Sequence, residues 1–208
     1  MDTAIKPEVL TGNHVTLTPM TLDDAPELLA AAESIATFRY FTFPPNPWND
    51  DGMRAYCARL IDDPTILPHT VRDAAGMVVG STTYCSIRPL HRGVEIGWTW
   101  YAPSARGTTV NPECKMLLLT RAFETDLFST GDSQTGSANR VELKTDERNA
   151  ASRAAILKLG ASLEGILRHH VIMPDGHLRN SAMHSILASE WPAIKHGLKQ
   201  RIARRASR

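Results

Sequence analysis

Val94-Glu95-Ile96-Gly97-Trp98-Thr99-Trp100-Tyr101-Ala102-Pro103-Ser104-Ala105-Arg106-Gly107-Thr108-Thr109-Val110-Asn111 reads as a buried strand, a turn of small residues and the start of a helix. The first backbone N–H groups of a helix lack intrahelical partners, and a glycine such as Gly107 lets an anion come close to them. The stretch is therefore a seat for a phosphate. Alternation along the strand places Glu95, Gly97 and Thr99 on one face and Ile96, Trp98 and Trp100 on the other.

The seat sits in a longer α/β pattern. Upstream, His14 to Thr18 reads as a strand, followed by a helix that Thr21 can cap, with Asp23 and Asp24 in its first turn. Phe38 to Trp48 mixes aromatics with prolines and reads as an ordered loop before a helix from Asn49 or Asp50 to about Ile61. Strands at His69 to Arg72 and Met77 to Ile87 flank a turn at Asp73-Ala74-Ala75-Gly76. The helix after the phosphate seat runs from Thr109 or Pro112 to Phe128, with Asn111 as a good cap for a Pro112 first position and Glu113 favouring the dipole.

Residues 128–139 form a polar, Gly/Ser-rich surface insertion. Beyond it comes the strand Arg140 to Thr145, whose Glu142 and Lys144 make a polar face, and then a helix from Asn149 ended by Gly160. Met173 to Asn180 is a late hairpin leading to the apolar strand Ser181 to Leu187, in which His184 is a packing residue. A run of cations from Lys195 to Arg208 contains no acid and reads as a solvated tail, with steering toward ribosomal RNA or an acidic partner as the alternative.

The chain resembles the acetyl-CoA-dependent GCN5-related N-acetyltransferases (GNAT), and within them the ribosomal-protein N-terminal acetyltransferases of the RimJ/RimL type. The family's pyrophosphate loop, Gln/Arg-x-x-Gly-x-Gly/Ala, falls on Ser104-Ala105-Arg106-Gly107-Thr108-Thr109, retaining the central glycine and the neighbouring arginine. The family's Asn-x-x-Ser/Ala-x-x-x-x-x-Lys-x-Gly is met by Asn149, Ser152, Lys158 and Gly160. The resemblance extends from about Thr11 to Pro192. It implies an α/β (α+β) fold: one GNAT-type domain over 1–208, with a core at 11–192 and a basic tail at 193–208. The implied sheet is twisted, mixed, mostly antiparallel and of about seven strands, flanked by helices.

The same resemblance implies acetyl-CoA as co-substrate, held by the loop Arg106, Gly107, Thr108 and Thr109, by backbone groups at Trp98, Thr99 and Trp100, and by Asn149 and Ser152. Acetyl transfer needs a neutral amine, so a base helps at neutral pH, and Glu95 is the candidate. The alternative for Glu95 is an ion pair with an arginine such as Arg88 or Arg92. Many relatives protonate the leaving thiolate with a tyrosine seven residues after the asparagine. That position is Ile156 here, and Ser152 is the substitute the branch suggests. Phe38, Tyr40, Phe41 and Trp48 would line the acceptor pocket.

Composition narrows the classes. A chain of 208 residues with 42% hydrophobic content makes one ordinary core. A formal charge of +1 argues against a nucleic-acid binder. Cys57, Cys85 and Cys114 are far apart and suggest a reducing, cytoplasmic setting. His169, His170 and His177 lack the spacing of a metal site, so no metal is expected. No apolar run approaches the roughly 20 residues of a membrane span, and no membrane partner is expected. The acceptor is an amine: a protein N-terminus as in the RimJ/RimL branch, or a small antibiotic, polyamine or nucleotide conjugate. A non-catalytic acyl-CoA-binding module is the reading from another class. A homodimer would be in keeping with the branch.

Overall fold

The computed structural model describes residues 5–128 and 136–207. Within these residues, eight strands form one sheet in the order β1-β2-β3-β4-β5-β6-β8-β7. They are β1 (Leu10–Thr11), β2 (Val15–Pro19), β3 (Leu67–Asp73), β4 (Val78–Arg88), β5 (Gly93–Tyr101), β6 (Arg140–Asp146), β7 (Ser162–Ile172) and β8 (Leu178–Leu187). The sheet is mixed and mostly antiparallel; among the described residues, β5 with β6 is the parallel pair. One strand beyond the expected seven comes from the two-residue β1, which hairpins onto β2.

Among the described residues, five α-helices cover the sheet: α1 (Ala25–Ala32), α2 (Asp50–Asp62), α3 (Val110–Glu124), α4 (Ala150–Leu159) and α5 (Trp191–Ala206). Two hydrophobic cores lie on its two sides. Leu28, Met53, Tyr56 and Leu60 of α1 and α2 pack with Phe38 and Trp100. On the other side Cys114, Leu118 and Leu119 of α3, Ile156 and Leu159 of α4, and Trp191 and Leu198 of α5 pack with Val94, Ile96, Val141 and Leu143.

Local chemistry explains the helix starts. Asn49 accepts from the Gly52 N–H at 3.0 Å, the bond an N-cap makes. Asp24 accepts from the Thr21 N–H at 2.8 Å and closes the turn before α1. Of the two expected starts of α3, the structure takes the earlier and not the one capped by Asn111. The helix begins at Val110 with Thr109 at the cap, so Asn111 is inside it and Pro112 is its third residue. Proline is tolerated there because the first-turn N–H groups have no intrahelical acceptor. The helix ends at Glu124, a turn before Phe128, where Thr125 is already extended.

Glu113 of α3 is buried and accepts from the N–H groups of Asn13 and His14 at 2.9 and 2.7 Å, tying the first hairpin to the helix. Within the surface insertion expected at 128–139, residues 129–135 lie outside the described residues. The basic segment read as a tail forms most of α5, which packs along α3. Cys57, Cys85 and Cys114 are free and buried. No described helix is long and apolar enough to cross a membrane.

Candidate active site

The parallel pairing that joins the two halves of the sheet is short. It links Gly93, Val94 and Glu95 to Arg140, Val141 and Glu142, and stops there. Beyond Glu95, β5 remains paired with β4 up to Tyr101, while β6 continues along β8 to Asp146. The facing edges of β5 and β6 thus lose each other as partners, and a splayed cleft opens between them.

A bulge on β5 falls at the same place. The register against β4 shifts between Ser81 and Thr83, and Trp98 has a φ of 47°. A non-glycine residue in that region carries strain of order 1–3 kcal/mol. The extra residue also corrects the simple alternation: Glu95, Gly97, Trp98 and Trp100 share the α1/α2 side, while Ile96, Thr99 and Tyr101 face α3. Thr99 Oγ1 lies 2.8 Å from Thr82 Oγ1, donates to the Gly97 carbonyl at 3.2 Å and accepts from Lys115 Nζ at 2.9 Å. Lys115 is buried, reaches Thr82 Oγ1 at 3.4 Å and has no ion pair among the described residues. Burial pushes its amine down to about 8.

At the far end of β5 the chain turns through Pro103–Ala105 into the predicted phosphate seat. Gly107 has a φ of 81°, and a Cβ built there meets nothing within 4 Å. The N–H groups of Gly107, Thr108 and Thr109 have no hydrogen-bond acceptor among the described residues. The Thr108 hydroxyl donates to Ala105 O at 2.7 Å and accepts from the Val110 N–H at 3.2 Å, so this side chain does the capping. Arg106 turns away from the amides: it donates to Tyr101 O at 3.0 Å and to Thr37 Oγ1 at 3.2 Å, bracing the loop. Its place beside the loop is taken by Arg205 of α5, which donates to Thr108 O. Arg201, one turn earlier, donates to Lys158 O at the end of α4 at 3.2 Å. Neither arginine has an ion pair among the described residues, and the proximity of Arg205 helps burial to lower the Arg201 pKa.

Glu95 sits where the cleft begins. It is 4% exposed, and Lys144 of β6 donates to its Oε2 at 2.9 Å, as does the Ser86 hydroxyl at 3.2 Å. Its partner is thus neither Arg88, which pairs with Glu142, nor Arg92. Gly97 leaves room for the other oxygen, because a Cβ there would lie 3.0 Å from Glu95 Oε1 and from Cys85 Sγ. Burial, and then the Glu95 charge, push the Cys85 thiol well up, so it stays protonated beside the carboxylate.

Across the cleft, Asn149 caps α4, its Oδ1 accepting from the Ser152 N–H at 3.0 Å. Ser152 is half-buried in the first turn of α4, and Ile156 packs into the α3-side core. Gly160 ends the helix in the left-handed conformation at a φ of 105°.

Of the expected aromatic wall, Phe38 is core: it is 1% exposed and touches Phe41, Tyr56 and Trp100 at centroid distances of 5.2, 5.4 and 5.3 Å. Trp48 packs on it at 6.1 Å. Tyr40 and Phe41 are half-buried, and Phe41 meets Trp98 at 5.6 Å. Phe43, of the same loop but not among the residues expected to line the pocket, lies 4.1 Å from Trp98 with Arg59 3.9 Å over its ring.

Residues 14–162 match the acetyltransferase (GNAT) domain family. The chain belongs to the GNAT acetyltransferases. Among solved structures it is similar to a candidate acetyltransferase from T. thermophilus, 31% identical over 95% of this chain and 98% of that one, with a TM-score of 0.84. A GCN5-related N-acetyltransferase from Brucella melitensis is 25% identical over 94% of this chain and 85% of that one, also with a TM-score of 0.84. RimJ from Mycobacterium smegmatis, solved with CoA-disulfide, shares the fold at 22% identity over 99% and 98% of the two chains, with a TM-score of 0.73. No curated protein sequence matches the chain. GNAT acetyltransferases use acetyl-CoA as donor, and the free amides at Gly107 to Thr109, the open space over Gly107 and the unpaired edge of β5 fit such a co-substrate.

Proposed function

We propose that the protein transfers the acetyl group of acetyl-CoA directly to an amine bound on the Glu95 side of the cleft. What carries this reading is the end of β5–β6 pairing at Glu95, which leaves a strand edge open between a carboxylate and a cradle of free amides. The pyrophosphate rests on the amides of Gly107, Thr108 and Thr109, with Arg205 and Arg201 adding charge from α5. The pantetheine arm runs along the open edge at Trp98 to Trp100, past Asn149. Backbone N–H groups at the bulge receive the developing oxyanion.

Glu95 takes the proton that the acceptor ammonium must lose, directly or through one water. Lys144 and Ser86 hold one carboxylate oxygen, which leaves Oε1 over Gly97 for that task. The amine nitrogen then bonds to the thioester carbon and the carbon–sulfur bond breaks. The second amine proton passes to water as the amide forms, and the departing thiolate takes its proton from the Ser152 hydroxyl, which regains one from water in the same relay and ends neutral. No covalent enzyme intermediate is needed.

The acceptor best supported by the resemblance to the RimJ/RimL branch is a protein α-amine in a cytoplasmic setting, which the three free, buried cysteines suit. CoA release should be followed by thiol titration across peptide N-termini, ribosomal proteins, polyamines and antibiotic amines. Turnover with one class establishes transfer and the acceptor together. Acetyl-CoA binding without turnover on any of them would favour a non-catalytic acyl-CoA-binding module.

A further inference from the structure

The acceptor side of the cleft has a charged floor. Cross-strand partners Lys144 with Met183 and Asp146 with Ser181 put Lys144, Asp146, Ser181 and Arg179 on one face of β6 and β8. It is the face of Glu95, since Lys144 bonds Glu95. Two of the three cations here are matched: Lys144 with Glu95 at 2.9 Å, and Arg148 with Asp146 at 2.8 Å. Arg179 is the third, and it has no ion pair among the described residues.

It is nonetheless 7% exposed. One N–H donates to Tyr40 O at 3.3 Å, while its Nε is buried without a partner. Two residues on, the Ser181 hydroxyl is equally buried and equally without a partner. A buried guanidinium and a buried hydroxyl are both costly to leave unbonded. Their place, on the floor shared with Glu95 and beneath the Tyr40 loop, is where an acceptor would lie. His170, whose pKa is lowered by burial and by the neighbouring Lys144 and Arg179, adds little positive charge at neutral pH.

We infer that the acceptor carries an anionic group close to its amine, a carboxylate or a phosphate, which Arg179 and Ser181 receive while the amine faces Glu95. The inference rests on the acetyl-transfer reading and names its substrate class. A guanidinium fork suits either anion, since both offer two oxygens in one plane. The amine, protonated on arrival, is drawn to Glu95, so the two ends of the acceptor are read by groups of opposite sign.

Matched acceptors test this by CoA release at saturating acetyl-CoA: phenylalanine against phenylalaninamide, phosphoethanolamine against ethanolamine, and a Ser-Asp peptide against its Ser-Asn counterpart. The anionic member of at least one pair should have a kcat/KM about tenfold or more above its neutral partner, mostly through KM. R179Q should bring that ratio close to one, and R179K should restore part of it. Acetyl-CoA binding measured by calorimetry on both variants reports that they are folded. Equal use of both members of every pair, a preference that survives in R179Q, or no use of any pair overturns the inference. Failure of the unaltered protein to bind acetyl-CoA would instead overturn the reading of the site beneath it.

Discussion

Replacing Lys115 with methionine should make the protein more stable. The amine is buried, and its partners are two threonine hydroxyls rather than a carboxylate. A fall from the ordinary 10.5 to about 8, at about 1.4 kcal/mol for each tenfold change in proton affinity, makes the charge cost about 3 kcal/mol at neutral pH. The unfolded chain holds this proton more tightly than the folded one. The cost is therefore complete below pH 8 and fades as the pH rises toward 10.5. Methionine fills similar space without a charge. Thr82 and Thr99 keep each other at 2.8 Å, so the lost hydrogen bonds offset only about 1 kcal/mol. Lys115→Met should then gain about 2 kcal/mol at pH 7, or several degrees in Tm, and about nothing at pH 10. Urea unfolding of both proteins at the two pH values measures the difference, with other titrating groups cancelling between them. A variant less stable than its parent at pH 7, or a gap that does not narrow at pH 10, would refute the reasoning.

Glu95→Gln should lower kcat by about a hundredfold, most severely at low pH, with acetyl-CoA affinity held; equal rates at every pH would remove Glu95 as the base. Gly107→Glu should abolish acetyl-CoA binding in calorimetry, because it sets a carboxylate and a strained φ at the amide cradle. Unchanged affinity would move the co-substrate elsewhere. Ser152→Ala should slow transfer by about tenfold while leaving the acetyl-CoA Kd near its original value, and a normal rate would assign the thiolate proton to water. Arg205→Ala should raise the acetyl-CoA Kd by about tenfold and weaken its salt dependence; an identical salt profile would return Arg205 to a purely structural role at Thr108 O.

The local features were legible because their chemistry is local. Asn149, Ser152 and Gly160 announce a capped helix and its stop, and the structure has α4 between them. Gly107 before an apolar helical run announced the loop, and it occupies the left-handed region. What sequence spacing could not supply was pairing over distance. Lys144 alternated correctly as a polar strand residue, yet its partner Glu95 lies on another strand 49 residues away. Arg205 reached the loop from a helix 97 residues downstream, in a segment whose uninterrupted positive charge reads most simply as solvated. Of the two starts the sequence left open for α3, Asn111-Pro112 is the better cap chemistry on paper, but Thr108 satisfies the first amide and the helix takes the earlier start, with Thr109 at the cap.

The Trp98 bulge had no sequence signal at all, and it has the largest consequence. Left-handed backbone ordinarily advertises itself as Gly or Asn, whereas here a tryptophan holds a φ of 47°. The surroundings account for it: Phe41 and Phe43 pin the indole on one side, while Lys115 and Thr82 hold Thr99 on the other. The bulge lies against β4, just after pairing with β6 ends at Glu95, and it shifts by one residue which side chains of the open stretch face which side of the sheet. Without it, the period-two rule would send Trp98 toward α3 and Thr99 toward the α1/α2 side, and the aromatic cluster of Phe41 and Phe43 would lose its centre. One unpaired residue in β5 thus sorts the site into an α3 face and an α1/α2 face, and the hydrogen bond from Lys115 to Thr99 is part of what holds it there.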